Sequence, residues 1–265
     1  MLAALIRRLL NTVRGPREAQ RNAGTGGEMT AEQAAGEPSN DAQSALLAVL
    51  GGTVASHKHF DYEKIAWVMA AASSAEYMLQ QMMDSPNRVE RIPLLELALG
   101  KCAVNGLVLE FGVYTGKSLR AIARRCSQEV HGFDSFEGLP EDWSYFQKQG
   151  RFSLNGKAPQ FDEPNIRLHP GYFEQTLPRF LNEHSGPARF IHVDCDLYTS
   201  TRTVLQLLAP RIVSGTVILF DEYLNYPGWQ QHEYKAFQEF VAQAGIKYRY
   251  LGYASAYYAV AVQIV

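Results

Sequence analysis

Acidic residues that close apolar runs carry the chemistry legible in this chain of 265 residues. The run Leu107-Val108-Leu109 leads into Glu110-Phe111-Gly112-Val113-Tyr114-Thr115-Gly116-Lys117-Ser118. A carboxylate followed by a glycine turn and a helix start is what a nucleoside-bearing ligand needs at the end of the first strand of an open α/β sheet, because glycine lets the backbone approach closely. Asp134 ends the next apolar run, near the spacing of roughly 20 residues at which such sheets accept ribose hydroxyls. Further on, Asp194 and Asp196 follow Phe190-Ile191-His192-Val193, and Asp221-Glu222 follow Val217-Ile218-Leu219-Phe220.

Two nucleotide-binding patterns resemble this turn and fail on spacing. A phosphate-cradling loop needs four residues between its first glycine and the Gly-Lys pair, and Val113, Tyr114 and Thr115 supply three. The dinucleotide fingerprint needs glycine where Val113 and Tyr114 stand. A ligand with a nucleoside but no pyrophosphate remains, and S-adenosylmethionine fits. Taken singly, each acid also suits a helix cap or a solvated turn; their joint placement at strand ends favours the ligand.

Asp194, Asp196, Asp221 and Glu222 would crowd into one crevice, since the carboxyl ends of neighbouring parallel strands face the same side. If the strand geometry persists that far, alternation turns Asp194 and Asp196 one way and Cys195 the other. Like charges so placed suppress each other's ionisation unless a cation joins them, and an all-oxygen set favours Mg²⁺, Mn²⁺ or Ca²⁺ over zinc. Such an ion activates and orients a hydroxyl for methyl transfer, while a carboxylate or histidine takes the proton. Asp194, Asp196 and His232 are the candidate catalytic groups, with His169 weaker. The competing role for Asp196 is to cap the helix starting near Thr199. His131 and His192 lie within apolar runs and read as core residues.

The elements that must position these groups alternate. Helical spacing covers 62–83 and a segment from Pro93, followed by strands ending at Phe111, Asp134, Leu168, Asp194 and Asp221 with helical patterns between them. This order predicts a parallel sheet with helices on both faces. Lys247–Leu251 and Tyr257–Val265 are joined by too short a link for a helical crossover and should pair antiparallel.

Upstream, residues 1–14 read as a basic amphipathic helix, 15–44 as a flexible linker and 45–105 as a helical region packing on a core domain of residues 106–265. The first helix suits packing on a neighbouring subunit, a partner or a peripheral membrane contact. A net charge of −2 disfavours a nucleic-acid partner. Three scattered cysteines point to a reducing, cytoplasmic setting. A homo-oligomer is the default expectation. Between Gly138 and Pro164, Trp143, Tyr145, Phe146, Phe152 and Phe161 suggest either a lid over the crevice or a small satellite cluster at the sheet edge.

The order of elements resembles the class I S-adenosylmethionine-dependent methyltransferase fold, a Rossmann-like α/β architecture whose mostly parallel seven-stranded sheet carries a C-terminal antiparallel strand. Five ordered blocks, beginning at Glu110, Asp134, Pro170, Asp194 and Phe220, resemble the macrocin O-methyltransferase family over roughly residues 106–241. The resemblance implies methylation of sugar hydroxyls on secondary metabolites with S-adenosylmethionine and magnesium. It implies that Asp194, Asp221 and Glu222 hold the metal, that Asp134 and Ser135 meet the ribose, and that Gly171, Tyr172 and Phe173 lie near adenine. Glu110, Phe111, Gly112, Thr115, Gly116 and Ser118 complete the expected cofactor site. Lys117 and Cys195 replace common glycines, and Glu222 a commoner Asp. The expected acceptor is a sugar of a glycoside or glycolipid; a catechol-type phenolic methyltransferase and a non-catalytic cofactor-binding scaffold are the alternatives.

Overall fold

Short, mostly apolar runs, the central ones buried on both faces, form the seven strands of the described residues. The computed structural model describes residues 62–144 and 147–265; the calls on 1–14, on 15–44, on the start of 45–105 and on Tyr145 and Phe146 lie outside the described residues. The strands are β1 (Leu107–Phe111), β2 (Val130–Asp134), β3 (Ile166–Pro170), β4 (Ala188–Val193), β5 (Val217–Phe220), β6 (Tyr248–Tyr253) and β7 (Val260–Ile264). They form one sheet in the order β3-β2-β1-β4-β5-β7-β6, in which β7 runs antiparallel to both of its neighbours. A turn at Ala254–Ala259, closed by the Ala254 N–H to the Ala259 carbonyl at 3.0 Å, reverses the chain between β6 and β7.

The helices are α1 (Tyr62–Gln81), α2 (Arg91–Gly100), α3 (Lys117–Ala123), α4 (Phe173–Glu183), α5 (Tyr198–Leu208) and α6 (Glu233–Ala244). Tyr77–Val265 is one compact unit, and the segment before it is a separate one. On one face of the sheet Val108, Phe190, Val217 and Leu219 pack with Leu94, Leu95 and Ala98 of α2 and Leu119 and Ile122 of α3. On the other, Phe111 meets Phe173 of α4 edge-on, Phe133 meets Phe180, and Phe220 meets Phe237 of α6. Burying these rings contributes about 1.5–3 kcal/mol each.

Alternation places Glu110 and His192 on the same face as Val108 and Phe190. The β1–β4 register makes them direct neighbours. On the opposite face His131 meets His169, Nδ1 to Nε2 at 3.2 Å, with the His184 ring 5.0 Å away and Phe180 among them. Burial, and then the neighbouring imidazoles, push His131 down to about 4. Its folded value lies below the unfolded value of about 6.5. The contribution to stability is therefore full above pH 6.5 and lost as pH falls towards 4. Melting curves across that window should show the parent chain losing stability on acidification, and a His131→Phe variant losing less.

Candidate active site

The carboxyl ends of β1, β2, β4 and β5 open into one cavity of about 680 Å³. From the first strand come Gly112, Val113, Tyr114, Thr115, Lys117 and Ser118; from the second, Asp134 and Ser135; from the loop after β3, Gly171, Tyr172 and Phe173. Asp194, Cys195, Asp196 and Glu222 close the far side. Most of the expected cofactor residues thus share a wall with most of the expected metal and catalytic groups.

The turn at Gly112 is held by the carboxylate that follows it in sequence. Asp134 accepts the Val113 and Tyr114 N–H groups through Oδ2, each at 2.8 Å, and the Phe136 N–H through Oδ1 at 2.7 Å. Its first task is to shape the turn, and its remaining lone-pair capacity faces the cavity. Gly112 has φ 87°, and a Cβ built on it would overlap the carbonyl oxygen of Asp194. No L side chain fits there without moving the end of β4. Gly112→Ala should cost about 2–5 kcal/mol, combining left-handed strain with overpacking. Gly150 also has positive φ but opens on free space, so Gly150→Ala should cost only the strain, about 1–2 kcal/mol. Denaturant melts of the two variants separate the effects.

Five expected site residues do not line this cavity, and one of them, Asp221, borders a second cavity under the start of α2. Glu110 is fully buried inside β1 rather than at its mouth, and its Oε1 lies 3.0 Å from Nδ1 of His192. Phe111 is on the opposite face, stacked on Phe133 with centroids 4.9 Å apart. Gly116 is covered by the ring of Phe161. His232 packs beside Trp143 and Tyr226, and burial lowers its basicity.

Strand geometry also stops sooner than alternation predicts. β4 ends at Val193 and Asp196 has φ 60°, so Asp194, Cys195 and Asp196 all line the cavity, the Cys195 sulfur lying 3.5 Å from the Thr201 hydroxyl of α5. Asp196 does not cap α5, whose N-cap residue is Leu197, with no side-chain cap. The loop after β2 divides in the same way. Gly138–Glu141 and Phe152 line the cavity, whereas Trp143 and Phe161 pack elsewhere.

Asp194, Asp221 and Glu222 offer oxygens within 4.8 Å of one another. Burial, and then the charge of Asp221, lift the Asp194 and Glu222 carboxyls well above the usual range. Burial also acts on Asp221, but His192 and Arg91 overcome it and hold that carboxyl below its ordinary value. Glu222 Oε2 has no hydrogen-bond partner. Three hard oxygen donors, one of them orphaned, suit a divalent cation such as Mg²⁺ or Mn²⁺, so the residues present fit one.

Sequence reasoning missed three neighbours of this trio. Arg91, at the start of α2, forms an ion pair with Asp221 and lies over the Tyr257 ring, 5.6 Å from its centroid. Glu233 is fully buried and accepts the Glu222 N–H at 3.0 Å. Nothing local in the sequence marks either one. His192 had a signal: it is an ionisable residue inside the apolar run Phe190–Val193, two positions before Asp194.

Residues 109–223 match a family model described as a methyltransferase domain. A curated relative from Streptomyces olivaceus, an 8-demethyl-8-(2,3-dimethoxy-alpha-L-rhamnosyl)-tetracenomycin-C 4'-O-methyltransferase, is 31% identical over 45% of this chain and 54% of its own. The chain thus spans about half the length of that relative. Among solved structures, the calicheamicin methyltransferase CalS11 superposes with a TM-score of 0.52 at 20% identity, covering 91% of this chain and 99% of that one. The O-methyltransferase NovP gives 0.51 at 22% identity, covering 65% and 79%. The fold is that of the class I Rossmann-like methyltransferases.

Proposed function

We propose that this chain is an S-adenosylmethionine-dependent O-methyltransferase that acts on a hydroxyl of a sugar carried by a small molecule, with a divalent cation held by Asp194, Asp221 and Glu222. The observation that carries the reading is that the Gly112–Thr115 turn lines one cavity with Asp194 and Glu222, whose oxygens lie within 4.8 Å of those of Asp221. The relative named for methylating a rhamnosyl-bearing tetracenomycin supports the acceptor class.

The cofactor would lie along the turn, with its ribose towards Asp134 and Ser135 and its adenine between Tyr172 and Phe173. Its methyl group would then point towards the acids. A bound divalent cation would lower the pKa of an acceptor hydroxyl and orient it. As the new C–O bond forms and the C–S bond breaks, the hydroxyl proton leaves to a carboxylate. Asp196 suits that role: it lines the cavity, and burial followed by the charges of Asp221 and Asp134 lifts it to about 7. A base matched to neutral pH is the efficient choice. Asp194 is the second candidate.

Among the described residues no helix is long and apolar enough to cross a membrane. Recruitment to a membrane surface through residues 1–14 and assembly into a homo-oligomer remain part of the proposal.

Transfer of a labelled methyl group from S-adenosylmethionine to a panel of glycosides, glycolipids and vicinal diphenols tests the reading. Methylated sugar, lost with a chelator and restored by Mg²⁺, is the expected result. Methylation of diphenols alone would shift the assignment to a catechol-type enzyme. Cofactor binding without turnover on any acceptor would leave a scaffold.

A further inference from the structure

Asp221 has an open space beside it. A second cavity of about 330 Å³ lies under the start of α2, lined by Arg91, Leu95, His192, Leu219, Asp221 and Ala259 among others. A carboxylate bordering such a space can turn away from the cation trio unless something fixes it. Its backbone is fixed, since the Asp221 N–H donates to the Val193 carbonyl at 2.9 Å. Its side chain has two neighbours that oppose rotation. Arg91 approaches Oδ2 and is partly exposed, whereas His192 is 2% exposed and stands 3.9 Å from Oδ1 through Nε2.

His192 is itself held from behind. Its Nδ1 lies 3.0 Å from Oε1 of Glu110, which is fully buried and whose other oxygen has no partner. The β1–β4 register fixes that pair across two central strands. Glu110, His192 and Asp221 therefore form a line from the middle of β1, through β4, to the end of β5. Asp194 shares the cluster, since one of its oxygens lies within 4.8 Å of ligand atoms from both Glu110 and His192.

We propose that His192 is a positioning residue for the cation site: braced by Glu110, its ring holds the Asp221 carboxylate towards Asp194 and Glu222 and out of the second cavity. This rests on the cation reading above. It also assigns Glu110 a task different from touching the cofactor. Outer partners of metal ligands act in this way, and their removal commonly costs 10–100-fold in metal affinity.

The test is Mn²⁺ affinity by electron paramagnetic resonance on the full chain, with S-adenosylmethionine affinity and melting temperature measured in parallel. His192→Phe keeps a ring but loses both nitrogens, and should weaken Mn²⁺ binding about 10–100-fold. His192→Gln keeps a donor and should recover part of the loss. Since His192→Phe strands a buried carboxylate and could unfold the chain, the double variant Glu110→Gln/His192→Phe carries the same test without that charge. Cofactor affinity should stay within about threefold of the parent in each folded variant. Mn²⁺ affinity within twofold of the parent in any folded His192→Phe background would overturn the proposal alone. A parent chain that binds no Mn²⁺ would overturn it together with the cation reading.

Discussion

An Asp196→Asn variant is expected to bind S-adenosylmethionine as the parent does while transferring its methyl group about 10²–10⁴-fold more slowly, the usual loss when a general base is removed. Asn has nearly the volume of Asp and tolerates the left-handed conformation that residue 196 adopts. The turn that carries it into the cavity should therefore survive. What disappears is an acceptor able to take a full proton. The pH profile makes the prediction specific. With its carboxyl lifted to about 7 in the cation-free site and drawn down from there by a bound cation, Asp196 must lose its proton to act, so kcat of the parent should rise with pH up to neutrality and level off above it. In the variant the residual rate should lose that limb. Steady-state kinetics with a glycoside acceptor, from pH 6 to 9, decide it. A variant with the parent's rate and profile would move the base to Asp194.

The turn that lines the cavity was legible in the sequence because its determinants are local. Gly112 follows β1 directly and Asp134 ends β2, and a glycine or an acid at such a place has few alternative uses. The antiparallel end was legible because a link as short as the one after Tyr253 cannot hold a crossover. Glu110 and Asp196 show where such reasoning stops. Glu110 was assigned because it closes an apolar run before a glycine turn, but the β1–β4 register sets it against His192, a pairing no spacing reveals. Asp196 was assigned by strand alternation, which holds only while the chain stays extended; β4 ends at Val193 and the next turn resets the faces. Arg91 belongs to the site because α2 packs on the sheet face that carries Asp221, a fact of tertiary structure alone.

Cation binding should strengthen as pH rises, by about tenfold per pH unit for each carboxyl that must lose its proton. Asp194 and Glu222 are both lifted well above the usual range, by burial first and by Asp221 second, whereas Asp221 is already held ionised. Carboxyls raised in the folded state contribute stability that is complete below their unfolded pKa and is lost as pH climbs through the folded one. Without a cation the chain should therefore weaken on the alkaline side. A cation that binds the ionised trio offsets this loss through mass action. The rise in melting temperature produced by a fixed Mn²⁺ concentration should accordingly grow from pH 6 to pH 8, and an Asp194→Asn/Asp221→Asn variant should show no such rise. The His131 cluster acts in the opposite direction between about pH 6.5 and 4, a window the raised carboxyls share, so melts with and without Mn²⁺ at each pH are what separate the two effects. A Mn²⁺ effect of equal size at every pH would mean that Asp194 and Glu222 are ionised before the metal arrives, with His192 and Arg91 supplying enough positive charge to keep them so.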